Sequence, residues 1–241
     1  AERPVVVVGS GVKLSKTEDL VKRFIKKNNL PAATTWATID LFLDNDPNLV
    51  GNFGISASRS GNFAVQTADL IISFGSRLDT HETGSNPLKF APNAKKIMVD
   101  IDNAELNRKN INIDLKINVD LRIFLKELLT LSIKKNNYTN WKNKIKTWKE
   151  KYPICLPEYY DQKEFVNPYV FMDALSKETE DGDIIITDAG GTLTWTMQGY
   201  KIRHKQMLFS AFNHSPMGYS LSASIGAQFA APDNNIICIT G

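Results

Sequence analysis

Short apolar runs, each followed by a turn and a helix-like stretch, constrain the fold of this chain most. The clearest of them are residues 5–8, 68–74 and 236–239. A strand with apolar side chains on both faces is typical of a parallel sheet that helices cover on both sides. The alternation predicts an α/β fold, a doubly wound parallel sheet whose ligands bind at the carboxyl ends of its strands.

The other predicted elements follow the same alternation. A helix is predicted to open at Ser15, because Ser15 and Glu18 form a capping-box pattern and apolar residues follow at helical spacing. Further strands are predicted at 32–35, 96–102 and 183–187, and further helices at 62–67, 121–132, 168–179 and 220–231. These elements predict a first α/β domain over 1–132, a connecting helix and linker over 133–165, and the first part of a second α/β domain over 166–241.

Charge gives no sign of a nucleic-acid partner, since 29 Lys and Arg residues face 26 Asp and Glu residues for a formal charge of +3. One stretch, 133–151, is locally basic. A binding surface for nucleic acid is one interpretation of it. We favour an amphipathic helix with a solvated lysine face, because Trp141, Ile145 and Trp148 fall on one side of a helix. The lysines of this stretch are Lys134, Lys135, Lys142, Lys144, Lys146, Lys149 and Lys151.

Several classes of protein find no support in the sequence. The 2 cysteines have no CxxC spacing, which argues against a zinc site and a disulfide framework. The three histidines, His81, His204 and His214, form neither a hydrolase triad pattern nor a metal motif. The apolar runs are too short for a membrane helix and no signal peptide is visible, so we expect a cytoplasmic protein without a membrane partner.

Two glycine-containing turns of the first domain are candidate ligand sites. Gly9 and Gly11 directly follow a strand and form half of a dinucleotide fingerprint, although a simple tight turn is an equal alternative. Gly75, Arg77 and Asp79 follow another strand, where Arg77 suits a phosphate or a ring carbonyl. An ion pair between Arg77 and Asp79 explains the pattern as well.

Carboxylates follow a later strand. Asp100 and Asp102 suit a ribose, whose hydroxyls donate hydrogen bonds to an acid at this position. They equally suit the cap of a helix that begins near Asn103.

Two loops of the second domain are further candidates. Gly190 and Gly191 beside the hydroxyl of Thr192 form a plausible phosphate cradle, with a mere turn as the alternative. The loop 212–219, which holds Met217 and Gly218, is suited to a ligand or is an ordinary start of a helix.

The order of these segments resembles one family. The stretches "VVVVGSGV", "GNFAVQTADLIISFGSRLDTHETG", "KIMVDIDNAEL", "DGDIIITDAGGTLTW" and "NHSPMGYSLSASIGAQFAAPDNNIICITG" are similar to thiamine-diphosphate-dependent enzymes of the acetolactate synthase group. The resemblance implies a Rossmann-like central domain followed by part of the thiamine-diphosphate-binding domain. It also implies magnesium and, in the synthases, FAD.

The resemblance assigns roles to individual positions. Gly190, Gly191 and Thr192 fall where the family contacts the diphosphate, Met217 where an apolar side chain holds the cofactor bent, and Gly218 in the loop that contacts the pyrimidine. The positions that match contacts to the flavin or its adenosine are Gly9, Gly11, Gly75, Arg77, Asp79, Asp100 and Asp120.

The activity implied is carboligation, in which a 2-keto acid such as pyruvate is decarboxylated and its two-carbon unit joins a carbonyl acceptor. The alternatives are a 2-keto acid decarboxylase of the same family, a noncatalytic module and an NAD-using module of Rossmann-like fold. By resemblance we expect a homodimer or homotetramer.

Both ends of the sequence read as cut, so we expect a piece of a longer chain. The resemblance places the catalytic glutamate and the metal ligands outside it, and we therefore name no catalytic or metal-binding residue. The 241 residues alone are expected to be inactive.

Overall fold

The computed structural model describes residues 1–133 and 136–241, and these residues form two compact units. The first unit comprises Ala1–Thr38 and Pro47–Tyr152, and the second comprises Ile39–Asp46 and Pro153–Gly241. Lys134 and Lys135 of the basic stretch lie outside the described residues. The domain boundaries drawn from the sequence stay a prediction.

The first unit is built on a six-stranded parallel sheet, which confirms the predicted doubly wound α/β fold. Its strands are β1 (Pro4–Val8), β2 (Ala32–Thr34), β3 (Leu49–Asn52), β4 (Leu70–Phe74), β5 (Lys95–Asp100) and β6 (Leu115–Asn118). The spatial order is β3-β2-β1-β4-β5-β6, so the direction of winding reverses between β1 and β4. The central position of β1 explains why all five of its residues are buried.

Seven α-helices accompany this sheet in the described part of the first unit. They are α1 (Gly11–Leu14), α2 (Glu18–Asn28), α3 (Arg59–Thr67), α4 (Thr80–Thr83), α5 (Asn103–Leu106), α6 (Leu121–Thr130) and α7 (Thr139–Lys151). The last of them is the helix predicted in the basic stretch. Its Trp141 and Ile145 are 4% exposed and pack into the same core as Val5 and Ile71.

The predicted helix start at Ser15 is wrong. Ser15 ends α1 instead, and its hydroxyl donates to the carbonyl oxygen of Gly11 at 2.6 Å. The longer helix begins at Glu18, and Thr17 precedes it without a side-chain cap. A serine hydroxyl bonds equally well to a carbonyl behind it, so a local motif alone does not distinguish the two outcomes.

The second unit contains a three-stranded parallel sheet with the order β8-β7-β9. Its strands are β7 (Ile184–Thr187), β8 (Met207–Phe209) and β9 (Ile236–Ile239), and its helices are α8 (Pro168–Glu178), α9 (Gly191–Gly199) and α10 (Tyr219–Ala230). The segment Ile39–Asp46 belongs to this unit and is bonded to it by backbone contacts. The amide of Asp44 donates to the carbonyl oxygen of Ile202 at 2.7 Å.

None of the helices over 1–133 and 136–241 combines the length and the apolar character that crossing a bilayer requires.

Candidate functional site

The carboxyl edge of the second unit's sheet brings three loops together at one side chain. Asp188 directly follows the central strand β7 and is 4% exposed. Both of its carboxylate oxygens accept the amide N–H of Gly218 at 3.1 Å, and Oδ2 accepts the hydroxyl of Ser220 at 2.9 Å. The hydroxyl of Thr240, just after β9, donates to the same oxygen at 3.4 Å. Asp188 therefore connects the end of β7, the start of α10 and the end of β9.

The hydrogen bonds hold Asp188 ionised. The largest effect is the backbone N–H of Ala189, which donates to Oδ1 at 2.7 Å and lowers the pKa of the carboxyl, and the donors at Gly218 and Ser220 lower it further.

The turn at Gly190 opens helix α9 next to this carboxylate. Gly190 has a φ of 76°, a region that side chains disfavour, and a Cβ placed on it would meet no atom within 4 Å. Thr192 lies in the first turn of the helix, and its hydroxyl donates to the carbonyl oxygen of Ala189 at 2.9 Å. The free N–H groups of a nine-residue helix thus face an open, exposed turn, which is the arrangement that binds phosphate groups.

Gly218 and Met217 form the second predicted turn. Gly218 stands before the first residue of α10 with a φ of 87° and, like Gly190, has open space on its Cβ side. Met217 is 93% exposed. An apolar side chain this exposed has no partner within its own unit to explain it, and it suits contact with an apolar part of a ligand.

Three glycines of the first unit, Gly9, Gly11 and Gly75, have a packing role. A Cβ on Gly11 would lie 2.7 Å from the Cα of Gly75, and a Cβ on Gly9 would lie 2.5 Å from the carbonyl oxygen of Gly75. The amide of Gly11 donates to that same oxygen at 2.8 Å. The two turns that end β1 and β4 therefore press directly on each other at the point where the winding of the sheet reverses.

The charged residues predicted for the first unit have contacts within the chain. Asp79 caps α4 and forms an ion pair with Arg77 at 3.3 Å. Asp120 caps α6 through the amides of Arg122 and Ile123. Asp100 accepts the amide of Asp102 at 2.9 Å, and Asp102 caps α5, so the capping alternative is confirmed for Asp102.

A buried carboxyl beside these residues escaped the sequence analysis. Glu82 accepts a hydrogen bond from the hydroxyl of Ser76, which follows β4. Burial raises the pKa of the Glu82 carboxyl to about 7; the Ser76 hydroxyl, Arg77 and Arg108 lower it, whereas Asp79 raises it. Nothing in the local sequence distinguishes this glutamate from an exposed one in a short helix.

The second unit has another buried aspartate, Asp173 on α8, that sequence reasoning missed. Its carboxylate accepts the Tyr160 hydroxyl at 2.6 Å and pairs with Lys177 and Lys201 at 2.6 Å each. Desolvation works against the charge, but the two lysines and the phenol outweigh it and lower the pKa of the carboxyl well below its usual range. The i, i+4 spacing of Asp173 and Lys177 was the one signal available.

A magnesium ligand set is not assembled by the described residues. Over 1–133 and 136–241, no three side chains of His, Cys, Asp or Glu cluster in a way that would hold a metal ion.

Comparison with known proteins identifies the family. Residues 1–128 match the family model described as thiamine pyrophosphate enzyme, central domain, and residues 188–241 match the one described as thiamine pyrophosphate enzyme, C-terminal TPP binding domain. The chain belongs to the thiamine pyrophosphate enzyme family, as the sequence predicted, thiamine pyrophosphate being another name for thiamine diphosphate.

Within that family the chain is similar to large subunits of acetolactate synthase. It is 31% identical over 241 residues to the one of Lactococcus lactis and 34% identical over 247 residues to the one of Cyanidium caldarium. The acetolactate synthase isozyme 1 large subunit of Escherichia coli is 31% identical over 242 residues. Each alignment covers 100% of this chain but only 41 to 42% of the relative.

Proposed function

We propose that the protein is a thiamine-diphosphate-dependent carboligase that acts on a 2-keto acid. The observation that carries the proposal is the pair of open glycine turns, at Gly190 and Gly218, on the carboxyl edge of one parallel sheet. Both turns lie within the segment matched by the TPP binding domain of the family.

The residues of these turns suit the two ends of the cofactor. The N–H groups that open α9, together with Gly190, Gly191 and Thr192, would bind the diphosphate at a helix N-terminus. Met217 would support the ring system, and Gly218 would let the backbone approach the pyrimidine. When bound, thiamine diphosphate supplies the carbon that attacks the keto group and stabilises the charge left by decarboxylation.

The proposed reaction consumes two keto acids. With pyruvate as donor and acceptor, one molecule loses carbon dioxide, its two-carbon unit forms a carbon–carbon bond with the keto carbon of the second, and the new alkoxide takes a proton. The products are acetolactate and carbon dioxide. The similarity to acetolactate synthase large subunits supports this substrate class.

A simple 2-keto acid decarboxylase is the second candidate, because it differs only in the fate of the two-carbon unit. Magnesium, FAD, a cytoplasmic location and a homodimer or homotetramer remain predictions from the resemblance. The seven residues predicted to contact FAD already have roles within the chain, as closely packed glycines, as an ion pair, as a hydrogen-bond acceptor or as a helix cap. The binding of FAD is therefore measured directly.

The test is a product assay by NMR on the protein at the length its gene specifies, with thiamine diphosphate, magnesium and pyruvate, with and without FAD. Acetolactate is expected. Acetaldehyde without acetolactate would identify the decarboxylase, and an unchanged pyruvate signal with no binding of thiamine diphosphate would overturn the proposal. A flavin absorbance that survives gel filtration would establish FAD.

A matched pair of methionine variants tests the site itself. Met217→Ala removes the exposed side chain from the second turn, and we expect the concentration of thiamine diphosphate needed for half-maximal activity to rise about tenfold. Met207→Ala, on β8, removes a side chain that is 51% exposed in the same unit, and we expect no change beyond about twofold.

A further inference from the structure

Asp188 lies where three segments of the second unit meet. It follows the central strand of the sheet, and its partners lie on three separate segments: Ala189 in the turn before α9, Gly218 and Ser220 at the start of α10, and Thr240 after β9. The two turns proposed to bind the cofactor are therefore joined through one carboxylate.

The chemistry of this carboxylate differs from that of Asp173, another buried aspartate of the unit. Asp173 is neutralised by two lysines, Lys177 and Lys201. Over the residues that the structure describes, no such ion pair is formed at Asp188, whose donors are backbone N–H groups and hydroxyls. A buried charge that is balanced only by such donors is costly to leave unsatisfied, so the loops that carry the donors are held in one arrangement.

Gly218 is constrained in two ways. Its amide is shared between both oxygens of Asp188 at 3.1 Å, while its φ of 87° sets the direction in which the chain enters α10. Ser220, one residue into the helix, is fully buried with its hydroxyl on the same carboxylate. The backbone directly after Met217 is thus held by hydrogen bonds to Asp188.

We propose that Asp188 is a positioning residue that sets the Gly190–Thr192 turn and the Met217–Gly218 turn at the separation that thiamine diphosphate requires. It acts on the cofactor through the loops and does not touch the reacting atoms. The part of the inference that concerns thiamine diphosphate rests on the proposed function. The part that concerns the loops rests only on the hydrogen bonds of Asp188.

The test compares Asp188→Asn with Asp173→Asn. The first replaces one of the two oxygens that share the N–H of Gly218 by an NH₂ group, which cannot accept a hydrogen bond. The second weakens a buried aspartate of the same unit whose contacts lie elsewhere. Two quantities are measured in the protein at the length its gene specifies: the dissociation constant of thiamine diphosphate with magnesium, by calorimetry, and the hydrogen exchange of the peptide that contains Gly218.

We expect Asp188→Asn to raise the dissociation constant about tenfold or more and to speed the exchange of the Gly218 amide. Asp173→Asn is expected to lower the melting temperature while leaving both quantities within about twofold of the wild type. Ser220→Ala, a milder change that removes one donor, should move both quantities in the same direction by less, and it serves if Asp188→Asn does not fold.

Other results would overturn the inference. Faster exchange at Gly218 with an unchanged dissociation constant would show that the loop position does not set affinity. Equal weakening of binding by Asp173→Asn and Asp188→Asn would reduce Asp188 to a general structural residue. A wild type that binds no thiamine diphosphate would overturn the proposed function and the cofactor part of this inference, whereas the Gly218 exchange would still decide the loop part.

Discussion

At the scale of single residues, Gly11 is required because the backbone at this position passes very close to the backbone at Gly75. A Cβ at this position would lie 2.7 Å from the Cα of Gly75 and 3.0 Å from its carbonyl oxygen. Neither atom can move without shifting the end of β4. The contact explains the glycine without any ligand.

Gly11→Ala is therefore expected to lower the free energy of unfolding of the first unit by about 1–3 kcal/mol, the usual cost of overpacking. Denaturant unfolding measures it. Gly226→Ala is the matched control, because Gly226 lies within α10 with no atom near its Cβ position, and alanine there should stabilise by about 0.5–1 kcal/mol. Equal effects at the two positions would contradict the packing argument.

Glu82 makes a second prediction at this scale. Its pKa is raised from 4.5 to about 7 in the folded chain, so between these values the unfolded chain releases the proton first. The contribution of Glu82 to the free energy of unfolding is therefore fully present below about pH 4.5, and it declines as the pH rises toward 7. Glu82→Gln should remove that decline and raise the free energy of unfolding at pH 8 by about 1–3 kcal/mol.

The measurement is chemical unfolding at a series of pH values from 4.5 to 8. Glu127→Gln, at an exposed position on α6, should leave the pH dependence as it is in the wild type. Parallel pH profiles for the wild type and Glu82→Gln would show that the buried carboxyl is not responsible.

At the scale of elements, helix α7 is part of the first unit's core. Trp141 is 4% exposed, its indole N–H donates to the carbonyl oxygen of Pro4 at 3.1 Å, and its ring meets that of Trp148 edge-on at 5.7 Å. Trp141, which lies 137 residues after Pro4, thus holds the first strand in place.

Trp141→Ala is expected to cost about 3–5 kcal/mol of unfolding free energy, because it leaves a large cavity and an unpaired carbonyl oxygen. Lys146→Ala, on the exposed face of the same helix, should change it by no more than about 0.5 kcal/mol. Thermal unfolding of the two variants is followed by far-UV circular dichroism, which reports on the backbone and not on the tryptophan that is removed. A small effect of Trp141→Ala would mean that α7 is only a connector.

The helices and strands show which elements a sequence reveals. Continuous apolar runs found β1, β4, β7 and β9, since burial on both faces leaves no polar side chain to confuse the pattern. The strands β3, β6 and β8 were missed, because none of them is buried along its whole length and so no continuous apolar run marks them. The start of α2 was misplaced for the reason given at Ser15.

For the candidate site, the sequence supplied the turns but not what joins them. Gly190, Gly218 and Met217 stand out because glycine and an apolar residue in a polar loop are visible locally. The role of Asp188 depends on partners up to 52 residues away, and only the folded sheet brings these together. From the sequence alone, a carboxylate at the end of a strand looks the same whether it caps a helix, binds a ligand or positions neighbouring loops.

At the scale of the whole molecule, the second unit is assembled from two separate parts of the chain. Residues 39–46 belong to it although first-unit residues stand on both sides of them. The carboxylate of Asp40 accepts the amide N–H of Leu208, in β8, at 3.0 Å. The segment therefore supports an edge strand of the second sheet.

Asp40→Ala should weaken the second unit by about 1–2 kcal/mol and leave the first unit unchanged. Hydrogen exchange resolves the two, with faster exchange expected in β7 and β8 and unchanged exchange in β1 and β4. Glu178→Ala, at the exposed end of α8, is the control and should alter neither. Uniform acceleration throughout both units would contradict this assignment.

Because the second unit is formed by two separate segments of the chain, natural or engineered recombination must exchange both segments. A chimera joined near residue 152 would take Pro153–Gly241 from one parent and Ile39–Asp46 from the other. Such a hybrid inherits a mismatched pairing between Asp40 and Leu208 unless the short segment is transplanted as well. The two pieces are thus expected to change together when genes of this family exchange parts.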